Sequence, residues 1–212
     1  MSLLDHILTL TTGAPHKTLV VVGSYDDTLA RPLADHFKTV ECISPWLAQP
    51  DEVRGNLVLR RGSYLEVLEN FHRYDVVLVE KAFYRFPDLW QMWTYDRLGR
   101  YQELLLVEWD FTGTLDHFHR AFQDRTPLCQ IARAVLNRFL AEQEIVIEAA
   151  VKGRSIVPLK ARSELIEYFR YYLPDHYPFG EKELLRRTGG LTYPLDLWEG
   201  FDLFKIRRFD YV

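Results

Sequence analysis

Cysteine is scarce in this chain. Cys42 and Cys129 are the only two in 212 residues, which excludes a disulfide framework of the small secreted kind and makes a reducing compartment the simpler setting. No stretch approaches the roughly 18–20 apolar residues of a membrane span. The first residues carry Asp5 and His6 where a secretory leader would carry Lys or Arg. Together these absences predict a cytoplasmic protein with no membrane partner. Positive charge is short as well: 26 Lys and Arg against 30 Asp and Glu leave a formal charge of −4, which argues against a grip on nucleic acid by bulk charge. The pairs Arg60-Arg61, Arg186-Arg187 and Arg207-Arg208 are scattered and read as solvated surface, so no nucleic-acid partner is expected.

Several catalytic signatures are missing too. There is no Gly-x-Ser-x-Gly elbow for a hydrolase and no Gly-Lys-Ser/Thr for a phosphate loop. The Gly-x-Gly-x-x-Gly turn of a dinucleotide site is also absent. No His-x-x-x-His or Cys-x-x-Cys pair offers zinc ligands, and His117 and His119, two apart on an expected helix, point away from each other. No metal site is expected.

What remains is a globular composition, 48% hydrophobic and 26% charged, of a length that suits one domain with a core that needs no staple. Leu3, Leu4, Ile7 and Leu8 share a helical stripe behind the capping pair Ser2 and Asp5. Thr18–Gly23 is a continuous β-branched run, the mark of a strand covered on both faces. A helix with Leu29, Leu33 and Phe37 at four-residue spacing follows the starters Asp26, Asp27 and Thr28. The alternation returns through strands at Thr39–Ile43, Asn56–Leu59, Asp75–Glu80 and Glu103–Trp109, with helices over Tyr64–His72 and Asp88–Leu98. Strands and helices at this pitch imply a parallel sheet. Residues 114–148 then read as helical, 155–179 as a short apolar piece, a helix and a Pro- and Tyr-rich turn, and Glu181–Arg187 as a helix stopped by Gly189-Gly190. Leu191–Trp198 and Asp202–Val212 read as a hairpin joined through Glu199-Gly200-Phe201.

This order resembles the Rossmann-like (class I) S-adenosylmethionine-dependent methyltransferases over most of residues 15–110 and 180–212. Val20-Val21-Val22-Gly23 followed by Leu29-Ala30-Arg31-Pro32-Leu33-Ala34 is similar to the family's first motif. Cys42-Ile43-Ser44-Pro45 is similar to the Asp-Ile-Ser-Pro after its second strand, Tyr74–Val79 to its fourth-strand motif, and Leu184–Gly190 to its last helix and turn. The resemblance implies a mostly parallel seven-stranded α/β sheet ending in an antiparallel hairpin. It also implies a single domain, 1–212, in which 111–179 is a helical insertion, potentially a lid.

It implies further that S-adenosylmethionine would lie against Gly23, Ser24, Tyr25, Cys42, Ser44, Ser63 and Tyr64. Three departures fall on those positions. Only Gly23 remains of three alternating glycines, the other two positions being Tyr25 and Asp27. Cys42 stands where an acid accepts from the ribose hydroxyls, and each lost charged hydrogen bond is worth roughly 1.5–3 kcal/mol. Glu41 is adjacent but on the other face of its strand, so it substitutes only if the register slips by one. Ser63 replaces the adenine-contacting acid.

For chemistry, Glu80 at the end of the fourth strand, with Lys81 and Tyr84, and His176 in the Tyr-rich turn are the candidates for an acid–base role. Asp26 and Asp27 read as helix caps in preference to a catalytic dyad. Trp90, Trp93, Tyr95 and Trp109 read either as the wall of a flat substrate site or as core. Tyr168, Tyr171, Tyr172, His176 and Tyr177 read as a lid or as a packed connection. Two functions follow. One is methyl transfer to a small acceptor, and the other is a non-catalytic relative that binds a protein partner or another ligand.

Overall fold

The structure is a computed structural model that describes residues 1–23, 27–45, 47, 52–62, 70, 73–80, 103–110, 112–122, 126–142, 145–172, 182, 185–186 and 188–208. The chain opens with helix α1 (Leu3–Leu10), whose Ser2 hydroxyl accepts from the Asp5 N–H while the Asp5 carboxylate accepts from the Ser2 N–H, the capping box expected from the sequence. There follow β1 (Thr18–Val22), α2 (Ala30–Ala34), β2 (Thr39–Ile43), β3 (Glu52–Arg54), β4 (Leu57–Arg60), β5 (Val76–Glu80) and β6 (Glu103–Trp109). The rest is α3 (Thr114–Phe122), α4 (Thr126–Glu142), β7 (Ile145–Leu159), α5 (Arg162–Tyr172) and β8 (Leu195–Arg208).

All the strands join one eight-stranded sheet in the order β3-β4-β2-β1-β5-β6-β8-β7. Strands β4, β2, β1, β5 and β6 run parallel, while β8 is antiparallel to both β6 and β7. The order reverses at β1, which puts a crevice over the carboxyl ends of the central strands, where open α/β sheets bind ligands.

Period-two alternation divides the core into two layers. Val20, Val22, Val77, Val79, Leu104 and Leu106 pack with Phe139 and Leu136 of α4 on one face. Leu19, Val21, Leu78, Leu105, Val107 and Cys42 face the other way, against Ile7 of α1 and Leu33 of α2. A smaller cluster, with Leu115, Leu159, Leu165 and Leu197, seats α3 and α5 on β7 and β8. Central strands buried on both faces explain the unbroken apolar runs in the sequence.

The structure corrects the sequence reading in four respects. The sheet has eight strands rather than seven: the short edge strand β3 and the long β7 are additional, and the two expected terminal strands are the single strand β8. The terminal hairpin is absent: Glu199-Gly200-Phe201 does not turn but lies inside the continuous 14-residue strand β8. Its antiparallel partner is β7, so the sheet does end antiparallel, but through a segment some fifty residues upstream. Helix does not extend to 148 either, because α4 ends at Glu142 and β7 begins at Ile145. The stretch 111–179 therefore contributes a strand to the sheet as well as helices.

Local propensity misleads at both places. Glu148-Ala149-Ala150 are helix formers, overridden by pairing along β8, where a register shift falls between Ile147 and Ala149. Gly200 is needed for close approach rather than for a turn. A Cβ there would run into the Asp110 carboxylate, which is fixed beneath it by the bond from the Asp110 N–H to the Gly200 carbonyl at 3.1 Å. The expected helices over 64–72 and 88–98 lie outside the described residues. No described helix is long and apolar enough to cross a membrane.

Candidate functional site

A cavity of about 560 Å³ opens over the carboxyl ends of β5 and β6 on the α1/α2 side of the sheet. Its position follows from alternation. Beyond Leu78 the next residue on that face is Glu80; beyond Val107 it is Trp109; and along β8, past Leu203 and Phe201, it is Glu199. Three strands thus place two carboxyls and an indole on a diagonal where the apolar layer ends, Trp109 two residues beyond Val107, the partner of Glu80, and Glu199 two beyond Phe201, the partner of Trp109. Ser155, directly opposite Glu199 in the ladder, and residues up to Pro158 of β7 form one wall. Met1–Leu4 at the start of α1 and Thr28, Leu29 and Pro32 at α2 form the other, and Tyr168 of α5 closes the side.

The floor is sparingly exposed: Glu80 keeps 7% and Glu199 6% of its surface accessible. Arg154 is the one basic side chain among the described lining residues, and its guanidinium lies 4.2 Å from the centroid of the Trp198 ring. Next to the β7 wall the ring of Phe201 lies over Gly153, its partner in the β7–β8 ladder, where a Cβ would collide with it.

The structure separates the residues that the sequence proposed. Gly23 ends β1 at φ 88°, the left-handed conformation expected of a turn glycine. The ladder pairs Val22 with Val79, so Gly23 stands beside Glu80 at the strand ends. Cys42 is fully buried in the apolar layer with Leu47, Leu57 and Leu59. Ser44 is fully buried too, its N–H donating to the Arg60 carbonyl at 3.1 Å. Register holds Glu41 on the face opposite Cys42. There its carboxylate accepts from the Tyr74 hydroxyl at 2.6 Å and pairs with Arg60 at 3.1 Å. Burial, and then the hydrogen bond to Glu41, push the Tyr74 phenol well above the ordinary tyrosine range. Asp27 pairs with Arg31 across the first turn into α2.

Ser24, Tyr25, Ser63, Tyr64, Lys81, Tyr84, His176 and the aromatics Trp90, Trp93, Tyr95 and Tyr177 lie outside the described residues, as do the side chains of Tyr171 and Tyr172. Of the aromatic candidates, Trp109 both packs on the α4-side core and lines the cavity, and Tyr168 both packs on the small cluster and lines it. Glu199 and the β7 wall are not among the site residues that the sequence singles out. Their signal was the unbroken alternation Leu195, Leu197, Glu199, Phe201, Leu203, hidden by the apparent turn at Glu199-Gly200. Among the described residues no group of His, Cys, Asp or Glu could hold a metal ion.

No family model and no curated protein matches this sequence. Solved structures do match. A candidate methyltransferase from Bacillus halodurans superposes with a TM-score of 0.54 at 13% identity, over 97% of this chain and 98% of that one. The YcgJ protein of Bacillus subtilis gives 0.51 at 12%, over 98% of each chain. A candidate type II methyltransferase from Anaeromyxobacter dehalogenans gives 0.51 at 14%, over 97% and 94%. At these identities the likeness establishes the fold, which is the Rossmann-like, class I methyltransferase fold with its antiparallel end.

Proposed function

We propose that the chain is an S-adenosylmethionine-dependent methyltransferase that acts on a small acceptor seated over β5 and β6. The observation that carries this reading is the cavity itself. It lies at the carboxyl ends of a sheet of methyltransferase topology, beside the one retained turn glycine, and Glu80 and Trp109 reach into it.

The fit of the methyl donor to the residues present divides at β1. Gly23 allows the close backbone approach that the methionine half needs, and Glu80 beside it suits a positively charged centre. At the ribose position Cys42 offers no acceptor to a cleft, because it is packed among leucines, and Glu41 is held by Tyr74 and Arg60. The donor, when bound, supplies an electrophilic methyl group. The chain's own contribution is to align the acceptor against Trp109 and Tyr168, to exclude water under α1, and to accept a proton on the Glu80 carboxylate. His176 is the second candidate for that proton.

The burial of Cys42 favours a second reading, a relative that keeps the fold and binds a protein partner or another ligand without methyl transfer. Calorimetry with S-adenosylmethionine and S-adenosylhomocysteine separates the two. A dissociation constant below about 100 µM supports the enzyme, and silence up to millimolar concentration leaves the non-catalytic relative.

A further inference from the structure

The sheet ends at β7, a 15-residue strand with no strand beyond it among the described residues. Hydrogen bonding across the sheet fixes which of its backbone groups face that open edge. On β8 the Gly200 N–H donates to the Thr112 carbonyl at 3.2 Å, and the Gly200 carbonyl accepts from the Asp110 N–H at 3.1 Å, so Gly200 turns its backbone groups toward the β6 side. In an antiparallel ladder this orientation alternates residue by residue, so Glu199 and Phe201 turn theirs toward Ser155 and Gly153 of β7. Alternation along β7 then points the N–H and C=O groups of Lys152, Arg154 and Ile156 outward. Pro158, which has no N–H to offer, falls in the same outward set, the place a proline takes in an edge strand. The side chains at this edge are open to solvent: Lys152 keeps 78% of its side chain accessible and Ile156 60% of its surface, and Arg154 and Pro158 are exposed. Lys152 meets Asp202 at 3.4 Å and the Arg154 guanidinium rests on the Trp198 ring, contacts that leave both cations facing water. Arg154 to Pro158 also border the cavity, so the open edge runs along its rim.

An open edge offers main-chain bonds to any extended chain, and the side chains around it decide which chain is accepted. Two cations two residues apart, followed by exposed Ile156 and Pro158, call for carboxylates and apolar groups in the same alternation. A second copy of this chain fits poorly. The antiparallel pairing that matches Lys152, Arg154 and Ile156 of both copies sets Arg154 against Arg154, and like charges directly opposite are destabilising. We infer that β7 receives an acidic, extended segment of a partner protein. The segment adds an antiparallel strand to the sheet, with carboxylates opposite Lys152 and Arg154 and apolar side chains opposite Ile156 and Pro158. The main chain supplies the affinity, and the two cations select the sign of the charge. This rests on neither reading of the cavity: the donor titration decides methyl transfer, and a peptide titration decides the edge.

The test uses the whole chain and a fluorescein-labelled peptide with threonine at every second place and, between the threonines, two valines followed by two glutamates. Fluorescence anisotropy at low salt should show it binding about tenfold or more tightly than the analogue with lysine for glutamate, because two opposite-charge pairs become two like-charge pairs. An analogue N-methylated at the residues that bond β7 should not bind. Amide exchange followed by NMR should slow at Lys152, Arg154 and Ile156 when the acidic peptide is added, which binding inside the cavity would not cause. The double variant Lys152→Glu, Arg154→Glu should prefer the lysine peptide, and the wild-type ratio decides even if that variant fails to fold. Equal affinity for the acidic and lysine peptides, undiminished binding of the N-methylated one, unchanged exchange at the three amides, or no binding at millimolar concentration overturns the inference. So does sedimentation showing a dimer of the chain in which those amides are already protected.

Discussion

Glutamates do opposite work in the two halves of this sheet. In the first half, Glu41 of β2 is tied to Tyr74 at 2.6 Å and to Arg60 at 3.1 Å, while its neighbour Cys42 is sealed in the apolar layer. In the second half, Glu80 of β5 and Glu199 of β8 line a cavity. The polar side chains near the strand ends of β2 and β4 are committed to holding the fold, and Glu80 and Glu199 of β5 and β8 line the cavity. A Rossmann-like scaffold thus keeps a cavity over one half of its carboxyl edge while the other half is packed as core. Stability and function should separate along the same line.

Cys42→Asp breaks this comparison most severely. It restores the acid expected of a donor site, but at a position with no exposed surface among Leu47, Leu57 and Leu59. Burying an unpaired carboxylate costs several kcal/mol, and we expect about 3–5 kcal/mol of lost stability in urea unfolding with no gain in affinity for S-adenosylmethionine. A variant as stable as the parent that binds the donor more tightly would show that β2 borders a cleft, and the two halves would then be alike.

Tyr74→Phe sharpens the comparison on the other face of β2. It removes the hydrogen bond to the Glu41 carboxylate, a loss of roughly 1.5–3 kcal/mol in urea unfolding. The pair also sets a pH dependence. Tyr74 has its folded value raised above the ordinary 10.0, so the folded chain keeps a proton that the unfolded chain gives up. Its contribution is complete below about pH 10 and is lost as pH rises through the folded value, at up to about 1.4 kcal/mol per pH unit. Urea unfolding at a series of alkaline pH values should show that slope in the parent and a shallower one in Tyr74→Phe. Identical slopes would detach Tyr74 from the network.

The asymmetry also explains what the sequence made legible. Strands β1, β2, β5 and β6 were visible because burial on both faces leaves continuous apolar runs such as Thr18–Val22 and Val76–Glu80. Their order and the Gly23 turn were enough for the fold, and Glu80 was visible as an acid ending a central strand. Strand β7 is hidden in the sequence because Glu148-Ala149-Ala150 favours helix locally, and β8 reads as two strands because Glu199-Gly200 imitates a turn; only pairing across some fifty residues decides against both. That conceals the β7 wall and the place of Glu199 in the cavity. From the sequence Trp109 reads either as core or as the wall of a site, and in the structure it packs on the α4-side core and also lines the cavity.

The smallest effect belongs to the helix that roofs the cavity. Ser2 caps α1 through its hydroxyl, 3.2 Å from the Asp5 N–H, and also lines the cavity. Ser2→Ala removes one capping acceptor, which costs about 1 kcal/mol. That loss should appear unevenly. Ile7 still anchors the middle of α1 in the sheet-side core, and the Thr11 N–H still bonds the Ile7 carbonyl at 3.1 Å, so fraying is confined to the first turn. Hydrogen exchange should therefore accelerate at Asp5 and His6, whose N–H groups bond Ser2, and remain unchanged in β1 and β2. Because that first turn forms a wall of the cavity, any affinity for S-adenosylmethionine should fall in step with the exchange, whereas the high-pH slope set by Tyr74 should not move. If exchange and affinity were uncoupled, α1 would be packing on the sheet without closing over the site, and the division between a structural half and a binding half would end at the strands rather than include the helix above them.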